Sequence, residues 1–443
     1  MIRRPSDQAY RHAESIVRRL REAGHEALLA GGCVRDLLRG EPPQDYDVAT
    51  SARPDEVQAL FERTRDVGRQ FGVCLVILDG RPYQVAAFRT EGAYSDGRHP
   101  DAVAFSGAEQ DARRRDFTVN GMFWDPVREE VLDYVGGRED LEAHLIRAIG
   151  DPCERFREDH LRLLRAVRFA ARLGFAVEER TRDAARELAG LVSRVSAERL
   201  QEELRLILTD RDPGAALCLM DELGMLLELF PELADCKGCE QPENYHPEGD
   251  VFVHTLLTVE KLGPQPDFQL ALAALLHDIG KPEASRLAGP KRFPEHSRIG
   301  RDMAYEVCRR LRISNDETER VCWLVDRHLY FRDAQKMRRS TLKRLFAEPG
   351  FDQLAELHRA DSLASWGNLD SYRYVMEVRR STPPEEAEPP PLLTGHDLIE
   401  MGYRPGPMFA RVLTAVRDAQ LEGEVTSAEE AQALARRLAE EAG

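Results

Sequence analysis

Long apolar runs are missing from this chain of 443 residues. The longest, "LALAALL" at 270–276, falls far short of the ~20 residues that span a bilayer. The opening "MIRRPSDQAYRHAESIVRRL" lacks the apolar core and small-residue cleavage site of a secretory signal, so a cytoplasmic location is expected. A disulfide framework is also absent: eight cysteines are scattered along the chain, which fits a reducing compartment. The one close pair, Cys236 and Cys239 in "CKGCE", has no second C-x-x-C to complete a zinc tetrahedron and reads as incidental loop cysteines. Positive charge is in deficit too. A formal net charge of −16 argues against wholesale coating of nucleic acid. Basic residues nevertheless cluster in "ARRRDF" (112–117) and "RLLRAVRFAARLGF" (162–175). A local basic surface on an acidic protein can still grip a phosphate backbone.

What remains is the composition of a folded, helix-rich chain, 42% hydrophobic and 32% charged, long enough for about three or four modules. Residues 9–23 have the periodicity of an amphipathic helix, and "ALLA" (27–30) reads as a buried strand entering a glycine corner. "CVRDLL" starts a helix, "DYDVAT" returns as a strand, and "DEVQALFER" is a short helix after Pro54. "VCLVILDGRPYQVAAF" (73–88) predicts a β-hairpin turning at Asp79-Gly80. From Pro152 onward strand signals nearly vanish, and helical periodicity runs from Phe156 through Gly174 and beyond. The expected fold is therefore an α/β head with a small mixed sheet (1–150), then an all-α neck (151–240) and an all-α body (241–380). "STPPEEAEPPP" (381–391) is an extended linker because successive prolines fix φ, and a short helical tail (392–443) follows.

The head carries the first chemistry. In "LAGGCVRDLLRGEPPQDYDVAT", Asp45 and Asp47 are two apart, which on a strand projects both carboxylates to one face. Side by side they repel, and a shared divalent cation relieves the repulsion; hard oxygens without nearby His or Cys favour magnesium. Gly31 and Gly32 let backbone N–H groups approach phosphate, Arg35 could cover it, and Asp36 would buttress the corner. "RRRDFTVNGMFWDP" (113–126) adds Arg114, Arg115, Asp116 and Asn120, and "DYVGGREDL" (133–141) a second glycine corner. "EDHLRLLRAVRF" (158–169) sets Asp159 and Arg162 three apart, on one face of a predicted helix. Cytosine and adenine both offer an exocyclic amine beside a ring-nitrogen acceptor. An Asp/Arg pair matches that order, whereas guanine and uracil reverse it.

Together, "GGCVRDLLRG…DYDVAT", "RRDFTVN", "DYVGGREDL", "EDHLRLLRAVRFAARLGF" and "SAERLQEEL" resemble, in order and spacing, the five motifs of the bacterial-type tRNA nucleotidyltransferase and poly(A) polymerase family. The resemblance covers roughly residues 10–210. It implies a nucleotidyltransferase fold for the head, with Asp45 and Asp47 as catalytic metal ligands. Arg114, Arg115, Asp116 and Asn120 would contact the nucleotide, Asp159 and Arg162 would read the incoming base, and Arg165 and Arg168 would serve phosphate or base stacking. Two departures stand out: Gln84 occupies a position where relatives commonly carry glutamate, and Gly121 replaces a usual alanine. "RTEGAYSDGRHPDAVAF" (89–105) looks like the flexible loop that relatives use to switch from CTP to ATP, which argues against a CC-only enzyme.

A second set of ligands begins at His254. His277-Asp278, His296, His328 and Asp361 follow in "LLHDIGKPEA", "EHSRIG", "DRHLYF" and "HRADSLAS". Imidazoles with carboxylates suit a divalent transition metal. The ordered set resembles the HD phosphohydrolase domain, with His254, His277, Asp278 and Asp361 as its basic ligands. His296 and His328 match the extra histidines of members with a fuller or binuclear site. Lys281 could face a substrate phosphate, whereas His246 and His358 are expected to be surface or core residues. The expected activity is template-free addition of the 3′-terminal CCA, or its A, to tRNA from CTP and ATP, with magnesium in the head. The body's metal would be a separate transition metal, and neither a membrane nor a protein partner is expected. The alternatives are a poly(A) polymerase, or chiefly an HD nucleotide phosphohydrolase with a degenerate head. The intact Asp45/Asp47 and Asp159/Arg162 pairs speak against the second.

Overall fold

The computed structural model describes all residues except 1, 3, 69–71, 93–96, 98–102, 245, 384–388 and 441–443. The chain divides into two compact units, Met1–Pro231 and Glu232–Gly443.

The first unit is built on a sheet whose strands are short because few stretches are apolar for long. They are β1 (Ala27–Ala30), β2 (Asp47–Thr50), β3 (Thr64–Gly68), β4 (Val73–Leu78) and β5 (Arg81–Ala87). After them come β6 (Arg89–Glu91), β7 (Val103–Phe105), β8 (Phe123–Asp125) and β9 (Glu130–Leu132). Seven form one mixed sheet in the order β3-β4-β5-β2-β1-β8-β9, while β6 and β7 pair separately. Within the seven-stranded sheet the β2–β5 contact is parallel and the other described pairings are antiparallel. The expected hairpin is present: Leu78 pairs with Arg81, and Asp79 and Gly80 take φ of 48° and 78°. Such left-handed pairs are what a two-residue turn between twisted strands requires. Strands β3, β8 and β9 carry too little apolar alternation to be legible in the sequence.

Helix α1 (Gln8–Glu22) starts at Asp7, whose side chain accepts from the Tyr10 N–H at 2.8 Å, and ends with Arg19 and Arg21 in its last turn. Its apolar stripe of Tyr10, Ala13, Ile16, Val17 and Leu20 packs with Leu29, Val48, Val85 and Trp124 from the sheet. The glycine corner then leads into α2 (Gly32–Arg39). Gly31 has φ +73°, and a Cβ there would lie 3.0 Å from Arg115 Nη1, so this position needs glycine both for its backbone and for the arginine beside it. Helices α3 (Pro54–Leu60), α4 (Ala108–Arg113) and α5 (Gly137–Glu142) complete the layer around the sheet.

Beyond Asp151 the chain becomes helical, with one correction. The run expected to continue from Phe156 through Gly174 is broken into α6 (Pro152–Glu158) and α7 (Leu161–Leu173). Asp159 between them is extended, with φ −141° and ψ 104°. Helix α7 stops at Gly174, which takes the left-handed conformation.

In the second unit, Val251–Lys261, Phe268–Leu276, Lys281–Ala288, His296–Arg310, Asn315–Arg327 and Phe351–Ala364 are the helices that carry or flank the histidines. Helix Phe268–Leu276 is buried along its whole length. The tail helices Gly395–Glu400, Pro407–Glu422 and Ala428–Glu440 form their own small core. They are tied to Arg339–Phe346 by Lys343 Nζ donating to the Leu421 carbonyl at 2.9 Å and the Ser340 N–H donating to Glu422 at 2.8 Å. The linker is described only at its ends, since 384–388 lie outside the described residues.

One close approach is decisive for the second unit. A Cβ on Gly280 would lie 2.2 Å from the His296 carbonyl oxygen and 2.5 Å from the Gly300 nitrogen, both backbone atoms. Gly280→Ala should therefore cost about 1–3 kcal/mol or more through overpacking and lower the melting temperature by several degrees. Calorimetry on the full chain checks this; a melting curve superimposable on that of the unsubstituted protein would contradict it.

Candidate functional site

Two side-chain clusters lie apart in the chain, one in each unit. In the first unit Asp47 opens β2, and Asp45 lies just ahead of the strand rather than within it. Exposure still alternates, with Asp45 and Asp47 out and Tyr46 buried, as extended chain dictates. Asp47 is exposed by area, yet protein atoms crowd its carboxyl. Desolvation holds its pKa above the ordinary value; Arg115 opposes the shift and the neighbouring Asp45 charge adds to it. A cavity of about 220 Å³ is lined by Asp47, Gln84, Arg89, Arg114 and Arg115 among others. Two like-charged carboxylates left adjacent form a hard oxygen donor set that fits a divalent cation. Gln84 stands on β5, next to β2, and supplies a carboxamide rather than a third carboxylate.

Arg114 and Arg115, which line this cavity, are held by a carboxylate that the sequence did not single out. Asp111, 1% exposed, receives Arg114 on one oxygen (2.8 and 2.6 Å) and Arg115 on the other (3.2 and 3.0 Å). Burial pushes the Asp111 pKa up, but the two guanidiniums outweigh it and the net shift is downward. Arg35 is buried, pairs with Asp36 at 2.7 Å and donates to Asn120 Oδ1 at 2.7 Å. Asn120 Nδ2 in turn donates to Asp116 Oδ1 at 3.2 Å. Asp116 Oδ2 accepts both Nε (2.9 Å) and Nη2 (2.6 Å) of Arg165, and Arg168 Nε donates to Glu203 Oε1 at 2.6 Å. The guanidiniums of Arg35, Arg165 and Arg168 lie 5.5, 5.2 and 4.4 Å from the centre of the Phe169 ring, within cation–π range.

The expected Asp159/Arg162 pair on one helical face is not what the structure contains. Asp159 sits in the break between α6 and α7, where its Oδ1 accepts from the Leu161 N–H at 3.1 Å. Its carboxylate is gripped by Arg199 through two bonds, 3.0 and 2.8 Å. Arg162 donates to Glu158 at 2.6 Å and to the carbonyls of Arg155 and Arg114 at 3.1 and 3.2 Å. An i, i+3 salt bridge would have needed a continuous helix. Arg199 and Glu203, four apart on the helix Ala197–Leu208, instead brace α7 and the residue before it. Of the expected switching loop 89–105, the described residues are the ends, with strands β6 and β7, and Gly97, whose carbonyl accepts from the His160 N–H at 3.3 Å; residues 93–96 and 98–102 lie outside the described residues.

In the second unit all six expected ligands converge. The His277-Asp278 doublet lies just past the end of helix Phe268–Leu276 rather than on it. His254 Nε2 is 2.9 Å from Asp361 and 3.7 Å from Asp278, and His277 Nε2 is 3.1 Å from Asp278. On the other carboxylate oxygen of Asp278, His296 and His328 approach to 3.4 and 3.6 Å, with 3.3 Å between their own Nε2 atoms. Nδ1 of His277, His296 and His328 lies 2.8, 2.7 and 2.7 Å from the main-chain carbonyls of Ala274, Phe293 and Val325. If those nitrogens carry the proton, each Nε2 is left as a lone pair. His277 Nε2 is buried without a hydrogen-bond partner among the described residues, so lone pairs face carboxylate oxygens across a buried gap. That arrangement fits divalent metal, and two overlapping groups, His254/His277/Asp278 and Asp278/His296/His328, share Asp278.

The surroundings shift two of these imidazoles in opposite directions. Burial pulls the His328 pKa down to about 3, with His277 adding to the shift. Burial works the same way on His254, but Asp361 and Glu248 outweigh it and raise the value to about 9. Lys281 pairs with Asp278 and donates to Gln241, both at 2.5 Å. A cavity of about 800 Å³ opens over the cluster, lined by Lys281, His296, His328, Asp361, His246 and the 62% exposed Trp366, among others. His246 and His358 were expected to be surface or core residues; His358 is buried, and both line this cavity.

A mixed-sheet head bearing paired carboxylates and arginines, followed by a helical unit with an HD cluster, defines a nucleotidyltransferase carrying an HD domain. Residues 27–147 match the poly A polymerase head domain, 174–237 the probable RNA and SrmB-binding site of polymerase A, and 251–366 the HD domain. A CCA-adding enzyme of Geobacillus sp. (strain WCH70) is 31% identical over 425 residues, 96% of this chain and 95% of that protein. The chain belongs to the CCA-adding enzyme family. Other matches are more local: the CCA-adding enzyme of Geobacillus thermodenitrificans (strain NG80-2) is 43% identical over 227 residues, 51% of this chain and 56% of the relative. The chain thus spans about half the length of several curated relatives it matches. The crystal structure of the Bacillus stearothermophilus CCA-adding enzyme in complex with CTP superposes with a TM-score of 0.75 at 27% identity, covering 97% of this chain and 98% of that one. The Thermotoga maritima CCA-adding enzyme complexed with tRNA shares the fold, with a TM-score of 0.60 at 19% identity over 99% of this chain and 97% of that one.

The Asp116–Arg165 bond gives a pH-dependent test. Burial raises the Asp116 pKa, but Arg165 and the other bonds win and hold it at about 2, below the 3.8 of a free carboxyl. Its contribution to stability is therefore complete above about pH 4 and fades as pH falls through 2. Arg165→Ala leaves a buried charge unpaired. Because the Arg165 side chain is 34% exposed, we expect about 1–3 kcal/mol at pH 7.5 rather than the full cost of breaking a buried pair. The deficit should narrow at pH 4.5, where the mutant's carboxyl takes up a proton. Urea unfolding at both pH values checks the sign; an equal or larger deficit at pH 4.5 would contradict it.

Proposed function

We propose that this protein is a template-independent tRNA nucleotidyltransferase that adds the 3′-terminal CCA, or its terminal A, from CTP and ATP and releases pyrophosphate. The observation that carries this reading is the Asp45/Asp47 carboxylate pair beside a cavity lined by Arg114 and Arg115. Asp45 and Asp47 would hold magnesium, which when bound would lower the charge barrier between the attacking 3′-hydroxyl and the triphosphate. Arg114 and Arg115, pre-oriented by Asp111, face the phosphates, with Gly31, Gly32 and Arg35 shaping the corner. Asn120, Asp116, Arg165 and Arg168 form the bonded wall against which the nucleoside rests. Asp159 and Arg162 remain the candidates for reading the base edge: the carboxylate accepts from the exocyclic amine and the guanidinium donates to the ring nitrogen. Arg199 and Glu158 hold them in place, so the pair is set by its neighbours and not by helical spacing. The poly(A) alternative shares every one of these residues, so only the products distinguish it.

For the body we propose a phosphohydrolase centre using a divalent transition metal, with His254, His277, Asp278, His296, His328 and Asp361 as ligands. Its substrate class would be small phosphoesters such as 2′-phosphates or 2′,3′-cyclic phosphates. The convergence of four imidazoles on Asp278 supports imidazole-preferring metal here and magnesium only in the head.

Two measurements test these readings. Labelled CTP or ATP is offered to tRNAs ending before CCA, after CC and after CCA. We expect extension of the first two, none of the third, and no extension by Asp45→Ala or Asp47→Ala at nearly unchanged tRNA binding. Homopolymer growth on the third tRNA would favour poly(A) synthesis, and wild-type turnover by either aspartate variant would remove the proposed centre. Separately, His277→Ala with Asp278→Ala should leave nucleotide addition largely intact while abolishing hydrolysis of 2′,3′-cyclic phosphate. Loss of nucleotide addition by that folded double variant would mean the two chemistries are coupled.

A further inference from the structure

Glu248, in the loop before helix Val251–Lys261, belongs to neither expected ligand set, yet its side chain is only 6% exposed. Its Oε1 lies 2.7 Å from His254 Nδ1 and 2.8 Å from His246 Nδ1. Only the second contact has the alignment of a hydrogen bond, and Oε2 is buried without a partner among the described residues. The two rings meet edge to face with centroids 4.8 Å apart, and Ser365 Oγ approaches His246 Nδ1 at 3.4 Å.

His246, Glu248 and His254 lie close enough together to hold an ion of their own. The ring chemistry of His254 argues against it. Its Nε2 is directed at Asp361 and Asp278, so Nε2 is the atom available to the body's metal and Nδ1 carries the proton. A protonated Nδ1 beside a carboxylate is the partner arrangement that orients a metal-binding imidazole and raises its basicity. The same oxygen faces His246 Nδ1, which leaves His246 Nε2 as the ring atom for whatever occupies the cavity that His246 lines.

We propose that Glu248 is a positioning residue of the body's metal centre, bracing His254 for the metal and His246 toward the bound phosphoryl group. The proposal rests on the reading of the body as a metal site. It makes His246 a ligand-contacting residue of that cavity without making it a metal ligand.

The test uses the full chain stripped of metal and titrated with cobalt(II), followed by its visible spectrum and by bound cobalt per chain. Inorganic phosphate is then titrated into the loaded protein. Glu248→Ala should weaken cobalt binding by about 10–100-fold and alter the visible bands, the usual size of a lost outer partner. Glu248→Gln, which keeps the shape and one acceptor, should fall between it and the unsubstituted chain and guards against a folding defect. His246→Ala should keep cobalt number and affinity while weakening phosphate. Unchanged cobalt affinity and spectrum in both Glu248 variants would overturn the brace. Loss of one cobalt equivalent in both His246→Ala and Glu248→Ala would also overturn it, in favour of a separate ion. No cobalt on the unsubstituted chain would instead overturn the underlying metal reading, and the brace with it.

Discussion

One buried carboxylate organises the first unit. Asp116 accepts two bonds from Arg165 on α7, one from Asn120 and one from the Phe117 N–H beside it. Asn120 then accepts from Arg35 on α2, so a single chain of bonds runs from α2 through the loop before β8 to α7. Such a bonded path lets three arginines surround Phe169 without mutual repulsion dominating, because each guanidinium has an anionic or amide partner. Removing the carboxylate would leave Arg165 without its anionic partner beside two other guanidiniums on the same ring. The guanidiniums of Arg35, Arg165 and Arg168 are thus each held by charge pairing beside Phe169.

The second unit solves a related problem with the signs reversed. Carboxylates and imidazole nitrogens converge in a buried cluster beneath the cavity, and the rings are oriented from behind. For His277, His296 and His328 the contact behind the ring is a main-chain carbonyl three residues earlier, a purely local device available wherever a helix or turn begins or ends. His254 has no such carbonyl and is contacted instead by a carboxylate from a loop. Gly280 lets the turn after the HD doublet pass against the backbone of the helix that starts at His296. That helix starts with the histidine whose Nε2 lies 3.4 Å from Asp278.

The largest departure from the sequence-based expectation lies at Asp159. Its spacing from Arg162 has the appearance of a helical pair, and the apolar residues on both sides keep helical phase. At the break the Asp159 side chain accepts the N–H of Leu161, two residues on, a local bond that competes with helical pairing. The competing partner, Arg199, comes from forty residues further on and lies in a motif that is visible in the sequence, but with no sign of whom it would grip. Asp111 was legible in principle, since it precedes Arg114 and Arg115 by three and four residues on the end of a helix.

By itself the sequence determined the class of the head, the Asp79-Gly80 hairpin, the helical change after Asp151 and the identity of the body's histidines and aspartates. These are encoded in short-range pattern: two-residue alternation, turn residues with left-handed φ, and side-chain types that suit a metal. Only the tertiary structure decided which charges meet. Asp111 under two arginines, Arg199 on Asp159, Glu203 on Arg168 and Glu248 between two histidines are partnerships across loops and between elements. An ion pair depends on distance in space, and a carboxylate in the sequence looks the same whether it ends in solvent or beneath a guanidinium. Folding selects among them because a buried charge without a partner costs several kcal/mol, so arrangements that pair buried charges are favoured.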